Sequence, residues 1–309
     1  MRLLFDVGHP AHVHFFKNAI WELQKRGHAV TITARDKDVT LRLLDAYKLP
    51  YIVRPTGWRP LNLFRASRFV RKTGEAFKAD LYVGTHNPYV AMAAADAGKK
   101  CILFTDTPGS RTVNRFSVDK ASLVVTPECM AGRFKNQVTY PGYKEMAYLH
   151  PKYFTPDSTA LARNGLASGE PYSVVRFIGW EAHHDSGVNK TAKDVRAKLL
   201  STLGKAVLSL EGESDGISRP EDLHAVLSHA SGCVSEGATL AKEAAVLGVP
   251  SAYVSPLASG LPPVTAMVKS GRLKIYDNCG AYAGLSSRSG PMEMTDVTAE
   301  ILKTLEASP

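Results

Sequence analysis

Short apolar runs alternate with helical runs along almost the whole chain, and no other feature limits the fold as tightly. Arg2–Val7 reads as a strand, His12–Arg26 as a helix with Phe16, Ile20 and Leu23 on one face, and Ala29–Ala34 as a strand. Lys37–Tyr47 reads as a helix, and Tyr51–Arg54, Asp80–Gly84, Lys100–Thr105, Leu123–Thr126 and Gln137–Tyr140 as further strands, with a helix at Pro88–Ala97. A second series places strands at 172–178, 206–210, 232–235, 251–254 and 273–276, and helices at 190–203, 220–229, 239–247, 263–270 and 295–306. Alternation of this kind demands parallel sheets covered by helices on both faces. The expected class is therefore α/β.

Between the two series, Pro141 through Pro171 is rich in Pro, Gly, Ser and Asn and weakly periodic, so it reads as a linker. The expectation is two doubly wound domains, 1–155 and 170–309, facing a cleft, with ligands at the carboxyl ends of strands. A length of 309 residues supports two such cores, and 44% apolar with 22% charged residues is a globular composition. Arg2 and Asp6 interrupt the N-terminus before a signal-type apolar run develops, and the apolar region 81–95 is too short to span a bilayer. The four cysteines (101, 129, 233, 279) lack metal or redox spacing and read as free thiols of a reducing cytoplasm. The net charge of +9 calls for an anionic partner. No nucleic-acid-binding motif is present, so nucleotide phosphates or an anionic membrane surface are preferred.

Residues 232–250 carry the sharpest functional signal. A short strand ends near Val234, Gly237-Ala238 makes a small-residue turn, and a helix runs from Thr239 to Leu247 before Gly248 and Pro250 stop it. The N–H groups of Gly237, Ala238 and Thr239 then lie at a helix N-terminus, where the helix dipole favours an anion. Glu243, one turn further in, is placed to hold a sugar hydroxyl of a bound nucleotide. The plain alternative is an ordinary strand–helix turn with a surface glutamate.

Other polar residues sit at strand ends. His9, His12 and His14 follow the first strand, and an imidazole there suits general base work near neutral pH. His12 is the first choice, His9 the second, and His14 is assigned to packing. Asp106, in Phe104-Thr105-Asp106-Thr107-Pro108-Gly109, is a base or a support for a histidine; alternatively it makes the turn. Arg176 interrupts the apolar run Val174–Phe177, and a diphosphate is a partner a guanidinium contacts through two hydrogen bonds; an internal ion pair is the alternative. His183-His184-Asp185 with the first-loop histidines raises a metal site, but the two sets lack helical i, i+4 spacing, so no metal is assigned. Residues 59–78, with Arg59, Arg65, Arg68, Arg71, Lys72 and Lys78 among Leu61, Leu63, Phe64, Phe69 and Val70, form a basic amphipathic stretch. It suits either an anionic membrane surface or a solvated helix face.

These motifs carry a resemblance. Glu236-Gly237-Ala238-Thr239-Leu240-Ala241-Lys242-Glu243-Ala244 with Gly248-x-Pro250 resembles the donor motif of the lipid-linked N-acetylglucosaminyl transferase of peptidoglycan synthesis. There the Gly-Ala turn faces the diphosphate, the glutamate matching Glu243 binds ribose, and a loop histidine corresponds to His12. Over most of its length the chain looks like a GT-B-like family of unknown function from archaea and bacteria. It shares Asp6-x-Gly8-His9-Pro10-x-His12-x-x-Phe15-Phe16, Tyr140-x-Gly142-Tyr143-Lys144-Glu145 and Arg176 with His183-His184. Pro10-Ala11 replaces the paired glycines of the transferase's first loop and removes an N–H. Glu236 and Glu243 fall one residue short of the spacing in retaining glycosyltransferases. UDP-N-acetylglucosamine 2-epimerases are also similar, but they place a catalytic Asp where this chain reads Thr85-His86-Asn87-Pro88.

The resemblance implies GT-B architecture and a glycosyltransferase using a nucleotide-activated sugar, a UDP-sugar, in polysaccharide or glycolipid synthesis. In that reading Arg176, Gly237, Ala238, Thr239 and Glu243 hold the donor, and His12, His9 and Asp106 serve catalysis. The acceptor is a sugar or a lipid-linked sugar, no cofactor is tightly bound, and the protein is cytoplasmic or peripheral at the inner face of the membrane. A 2-epimerase, a metallohydrolase and a non-catalytic nucleotide-sugar-binding subunit are the alternatives.

Overall fold

The structure is a computed structural model and describes residues 1–57, 61–178, 189–210, 216–256 and 260–308. The chain divides into two compact units, Met1–His150 with Thr295–Pro309, and Pro151–Met294.

The first unit runs β1 (Arg2–Val7), α1 (Pro10–Lys25), β2 (Ala29–Ala34), α2 (Thr40–Ala46), β3 (Ile52–Val53), α3 (Leu61–Phe77), β4 (Leu81–Thr85), α4 (Pro88–Asp96), β5 (Lys100–Phe104), α5 (Arg111–Phe116), β6 (Leu123–Pro127), β7 (Gln137–Tyr140) and α6 (Met146–Leu149). Its seven strands form one sheet in the order β3-β2-β1-β4-β5-β6-β7, and every pair is parallel. Strand order therefore reverses between β1 and β4.

Neighbouring residues of β1 point to opposite faces, as the pleat requires. Leu4 packs with Val70, Tyr82 and Val90. Phe5 meets Phe16 of α1 with ring centroids 5.2 Å apart. Near-continuous apolar strands are the signature of a sheet buried on both sides. Gly74 sits inside α3 because any side chain there would strike Tyr82: an added Cβ would lie 2.0 Å from its hydroxyl oxygen.

The second unit runs α7 (Thr159–Arg163), β8 (Ser173–Phe177), α8 (Asn189–Leu203), β9 (Ala206–Leu210), α9 (Leu223–His229), β10 (Gly232–Ser235), α10 (Ala238–Val246), β11 (Ser251–Val254), α11 (Pro262–Lys269) and β12 (Lys274–Tyr276). Five parallel strands lie in the order β12-β11-β10-β8-β9, so the reversal falls between β8 and β10. Val174 and Cys233 enter one core, while Val175 and Val234 enter the core on the other face.

The last helix, α12 (Val297–Glu306), departs from the sequence-based division. It belongs to the first unit, not the second. Ile301 and Leu305 are buried, Thr298 Oγ1 donates to Ala147 O at 2.7 Å, and Arg26 Nη1 reaches both oxygens of Glu306 at 3.0 and 2.9 Å. The helical periodicity marks the element, but a periodic pattern does not name the surface that buries it. The linker segment also holds the short helices α6 and α7, so only part of it is irregular.

Candidate functional site

In an open parallel sheet, ligand sites form at the carboxyl ends of strands where the order reverses. The candidate residues gather at two such points, one in each unit.

In the first unit, β1 ends at Val7 and α1 opens at Pro10, with His9 as the N-cap. Pro10 is tolerated at the first helical position, where its missing N–H has no helical partner to lose. Nδ1 of His9 accepts from Ala11 N at 3.1 Å, and Nδ1 of His12 accepts from Gly8 N at 3.2 Å. Across the reversal, Thr85 Oγ1 at the end of β4 lies 3.0 Å from His12 Nε2. Burial, reinforced by the positive charges of His9, Lys144 and Arg54, holds the His12 imidazole well below its ordinary pKa, against the pull of Asp106. His12 is thus neutral at physiological pH. A ring whose Nδ1 accepts a backbone N–H carries its proton on Nε2. The sequence points to His12 as a base; in this arrangement it presents a donor instead.

Asp106, just past the end of β5, is 8% exposed. Lys144 Nζ lies 3.0 Å from each of its oxygens. That ion pair favours the charged carboxylate. Lys144 belongs to the Tyr140–Glu145 motif, but no pattern along the chain points to Asp106 as its partner. His14, assigned to packing, is indeed buried, stacked on Tyr148 at 5.4 Å with Tyr47 Oη 3.2 Å from its Nδ1.

Beneath this loop lies a charge cluster that sequence reasoning missed. Asp6, within β1, is fully buried and accepts from Thr33 Oγ1 at 2.7 Å and Asn87 Nδ2 at 3.0 Å. Arg54 Nε stands 3.2 Å from Asp6 Oδ1. The guanidinium also stacks over Tyr89. A methyl group on Gly8 would come within 3.1 Å of Arg54 Nη2, so the arginine supports the floor of the loop.

In the second unit, Arg176 ends near the turn after β10. Glu236 N donates to Arg176 O at 2.9 Å. A methyl group on Gly237 would lie 3.6 Å from Arg176 Cδ, so the guanidinium stem passes the turn. Arg176 Nη1 reaches Ser209 Oγ at 3.4 Å. Helix α10 begins at Ala238 with Gly237 as its N-cap, no side chain caps it, and its first turn carries no acid. Gly237 N is committed, because it donates to Ser235 Oγ at 3.0 Å. The anion-binding amides that the sequence assigns to Gly237, Ala238 and Thr239 therefore reduce to those of Ala238 and Thr239.

Glu243 is not the surface residue the alternative reading requires. Its side chain is 4% exposed, with Oε1 3.0 Å from Nε2 of the equally buried His224 on α9. A ribose hydroxyl therefore has to reach a carboxylate that is nearly buried and already bonded through Oε1 to His224. Glu236 is a structural anchor that the sequence did not single out for this role. Its carboxylate accepts from Ile178 N at 2.9 Å and Arg196 Nε at 3.1 Å, and Cys279 Sγ lies 3.4 Å away. This ties the ends of β8 and β10 to α8. His183, His184 and Asp185 lie outside the described residues. Among the described residues, no three His, Cys, Asp or Glu side chains cluster as a metal site.

No family model matches the chain. An uncharacterized protein of Methanocaldococcus jannaschii is 21% identical over 282 residues, covering 81% of each chain. Among solved structures, UDP-GlcNAc 2-epimerase from Neisseria meningitidis bound to UDP-GlcNAc is similar over 99% of this chain and 100% of its own, with a TM-score of 0.77 at 12% identity. The Methanocaldococcus jannaschii UDP-GlcNAc 2-epimerase in complex with UDP-GlcNAc and UDP matches over 99% and 100%, with a TM-score of 0.73 at 11% identity. Spinosyn forosaminyltransferase matches over 100% and 95%, with a TM-score of 0.60 at 15% identity. These likenesses, with the two reversed parallel sheets, define the class: a GT-B fold of two Rossmann-like domains.

Proposed function

We propose that this chain binds a nucleotide-activated sugar, a UDP-sugar, and transfers the sugar to an acceptor. The observation that carries the reading is the end of β10, where an uncapped helix N-terminus stands beside Arg176 at the strand-order reversal. The amides of Ala238 and Thr239 and the guanidinium offer donors to a diphosphate. The choice of uridine draws on the folds solved with UDP-GlcNAc and UDP. Glu243 takes a ribose hydroxyl through its carboxylate, whose Oε1 is held by His224.

In the transfer step the acceptor oxygen attacks the anomeric carbon, the bond from that carbon to the diphosphate oxygen breaks, and the acceptor proton passes to Asp106. Lys144 keeps that carboxylate ionised. The neutral His12, whose Nε2–H faces Thr85 Oγ1, turns that N–H to an acceptor oxygen. The departing diphosphate is met by the Ala238 and Thr239 amides and by Arg176, which stabilise charge as it develops. The proposal calls on no tightly bound cofactor, and it takes the acceptor to be a sugar or a lipid-linked sugar of polysaccharide or glycolipid synthesis.

A second reading, 2-epimerisation of the same nucleotide-sugar, is favoured by the likeness to two UDP-GlcNAc 2-epimerases. Against it, Thr85 at the end of β4 and His86 and Asn87 in the loop after it supply no carboxylate where the resemblance to those enzymes calls for one. Calorimetric titration with UDP, GDP, CDP and ADP tests the donor. No binding of any diphosphate overturns both readings. Proton NMR of UDP-GlcNAc incubated with the protein alone separates the two: appearance of the 2-epimer identifies the epimerase, and an unchanged sugar that is consumed once an acceptor is added identifies the transferase.

A further inference from the structure

A second basic site lies wholly within the first unit, away from any residue assigned above to the diphosphate. Between β3, the segment that follows it and α3 opens a cavity of about 620 Å³, within the roughly 300–1,000 Å³ range of small-molecule sites. Arg54, Arg65, Arg68 and Lys72 line it, with Val53, Pro55 and Phe69 as apolar surface. Arg65, Arg68 and Lys72 recur at helical spacing, so α3 presents them on one side. The spacing of Arg71 and Glu75 pairs those two with each other instead, at 2.6 Å.

Two facts separate this pocket from an ordinary solvated helix face. Among the described residues, no carboxylate forms an ion pair with Arg65, Arg68 or Lys72. Asp36, the one acid among the described lining residues, is exposed to water. In addition Arg54, whose side chain is only 2% exposed, has a buried Nη1 with no hydrogen-bond acceptor. A buried guanidinium N–H without an acceptor carries a desolvation cost that a bound anion would relieve. Arginines rather than lysines dominate the lining, and their planar fork matches phosphate oxygens in pairs. Exposed Ile52, Val53 and Phe64 lie on the same two elements, so apolar surface adjoins the charge.

We propose that this pocket binds the phosphoryl group of an anionic ligand that carries an apolar portion beside its phosphate or diphosphate. Arg54 contacts the phosphoryl oxygens from the pocket's buried side, Arg65, Arg68 and Lys72 contact them from α3, and Phe69 and Val53 take the apolar portion. The assignment goes beyond the nucleotide-sugar reading and does not rest on it. The ligand's source is either a soluble phosphate compound or a lipid headgroup, and the chemistry of recognition is the same for both.

The test uses the full chain and two triple variants, R65Q/R68Q/K72Q in the pocket and K48Q/K99Q/K120Q on exposed lysines elsewhere in the same unit. Inorganic pyrophosphate is titrated by calorimetry into the wild type and both variants; the turn after β10 is the same in all three, so a difference between the variants reports on the pocket. Co-sedimentation with vesicles of phosphatidylcholine, with and without phosphatidic acid, is run in parallel. All substituted side chains are exposed, and thermal melts verify that both variants fold. The expected result is that the pocket variant weakens binding by about tenfold or more, as loss of charge-assisted hydrogen bonds entails, while the control variant changes it by about twofold or less. Pyrophosphate binding supports the proposal with a soluble source, and binding confined to phosphatidic acid vesicles supports it with a headgroup source. The proposal is overturned if the wild-type protein binds neither probe, or if both variants lose binding equally. If UDP itself fails to bind, the donor reading falls while the pocket result still stands.

Discussion

Among the described residues, Asp6–Arg54 is the most deeply buried ion pair of the first unit, and its removal has a calculable effect. Both side chains are essentially excluded from water, at 0% and 2% exposure. Asp6→Ala leaves the guanidinium buried without its counter-ion and deprives Thr33 and Asn87 of an acceptor. Breaking a buried pair by removing one partner costs about 3–5 kcal/mol, and the two lost hydrogen bonds, each about 1 kcal/mol, place this case at the upper end. Removing the arginine as well relieves most of the charge penalty. Arg54→Met in the Asp6→Ala background is therefore expected to regain about 2 kcal/mol, a coupling typical of contacting charges. Because two compact units need not unfold together, the assay is hydrogen exchange of the β1 amides under native conditions, which reports opening of this unit. If Asp6→Ala costs less than about 1 kcal/mol, or if Arg54→Met worsens it additively, the pair does not hold the floor of the loop and the reasoning fails.

Other outcomes follow from the same geometry. Gly237→Asp places a favoured N-cap at a backbone of φ −103° and ψ 126°; it should raise thermal stability by a few tenths of a kcal/mol while abolishing UDP binding in calorimetry, and retained binding would remove the diphosphate from this turn. His12, held well below its ordinary value by burial and neighbouring cations, stays neutral while the unfolded chain takes up a proton. Stability is thus full above the ordinary histidine value and is lost as pH falls below it; His12→Gln should flatten the decline of Tm on acidification, and an unchanged slope refutes the assignment. Gly248→Ala forces a side chain into the left-handed region (φ +77°), with its Cβ 2.3 Å from Ser289 O. Urea melts of the second unit should show a loss of about 2–4 kcal/mol, the sum of strain and overpacking, and a loss below about 1 kcal/mol would contradict that backbone. Exposed Cys129 should react first with a thiol reagent, because burial raises the thiols of Cys101 and Cys233 and pushes Cys279 up to about 12.

The sequence carried the fold because the central strands of each sheet bury both faces. Apolar runs such as Leu3–Phe5 and Val174–Val175 need helices on both sides, and the intervening helical patterns supply them. It also located the strand ends that matter, since a small-residue turn followed by a helix, as at Gly237-Ala238, is a local arrangement with a local signature. His12, Arg176 and the turn after β10 all lie at strand-order reversals for that reason.

Which groups those residues meet was decided only by tertiary structure. Lys144 and Asp106 are 38 positions apart, and Arg54 and Asp6 are 48 apart; no periodicity links them, because sheet order brings strand ends together without regard to distance along the chain. The same holds for Glu243, which the motif assigns to a ligand and the packing of α9 turns to His224, and for α12, whose periodicity fixes a helix but not the unit that buries it. The tautomer of His12 depends on a single backbone N–H at Gly8, and the basic pocket depends on where α3 lies against β3. Local chemistry writes the elements into the sequence, whereas partners separated by many residues are chosen by the packing that brings them within reach.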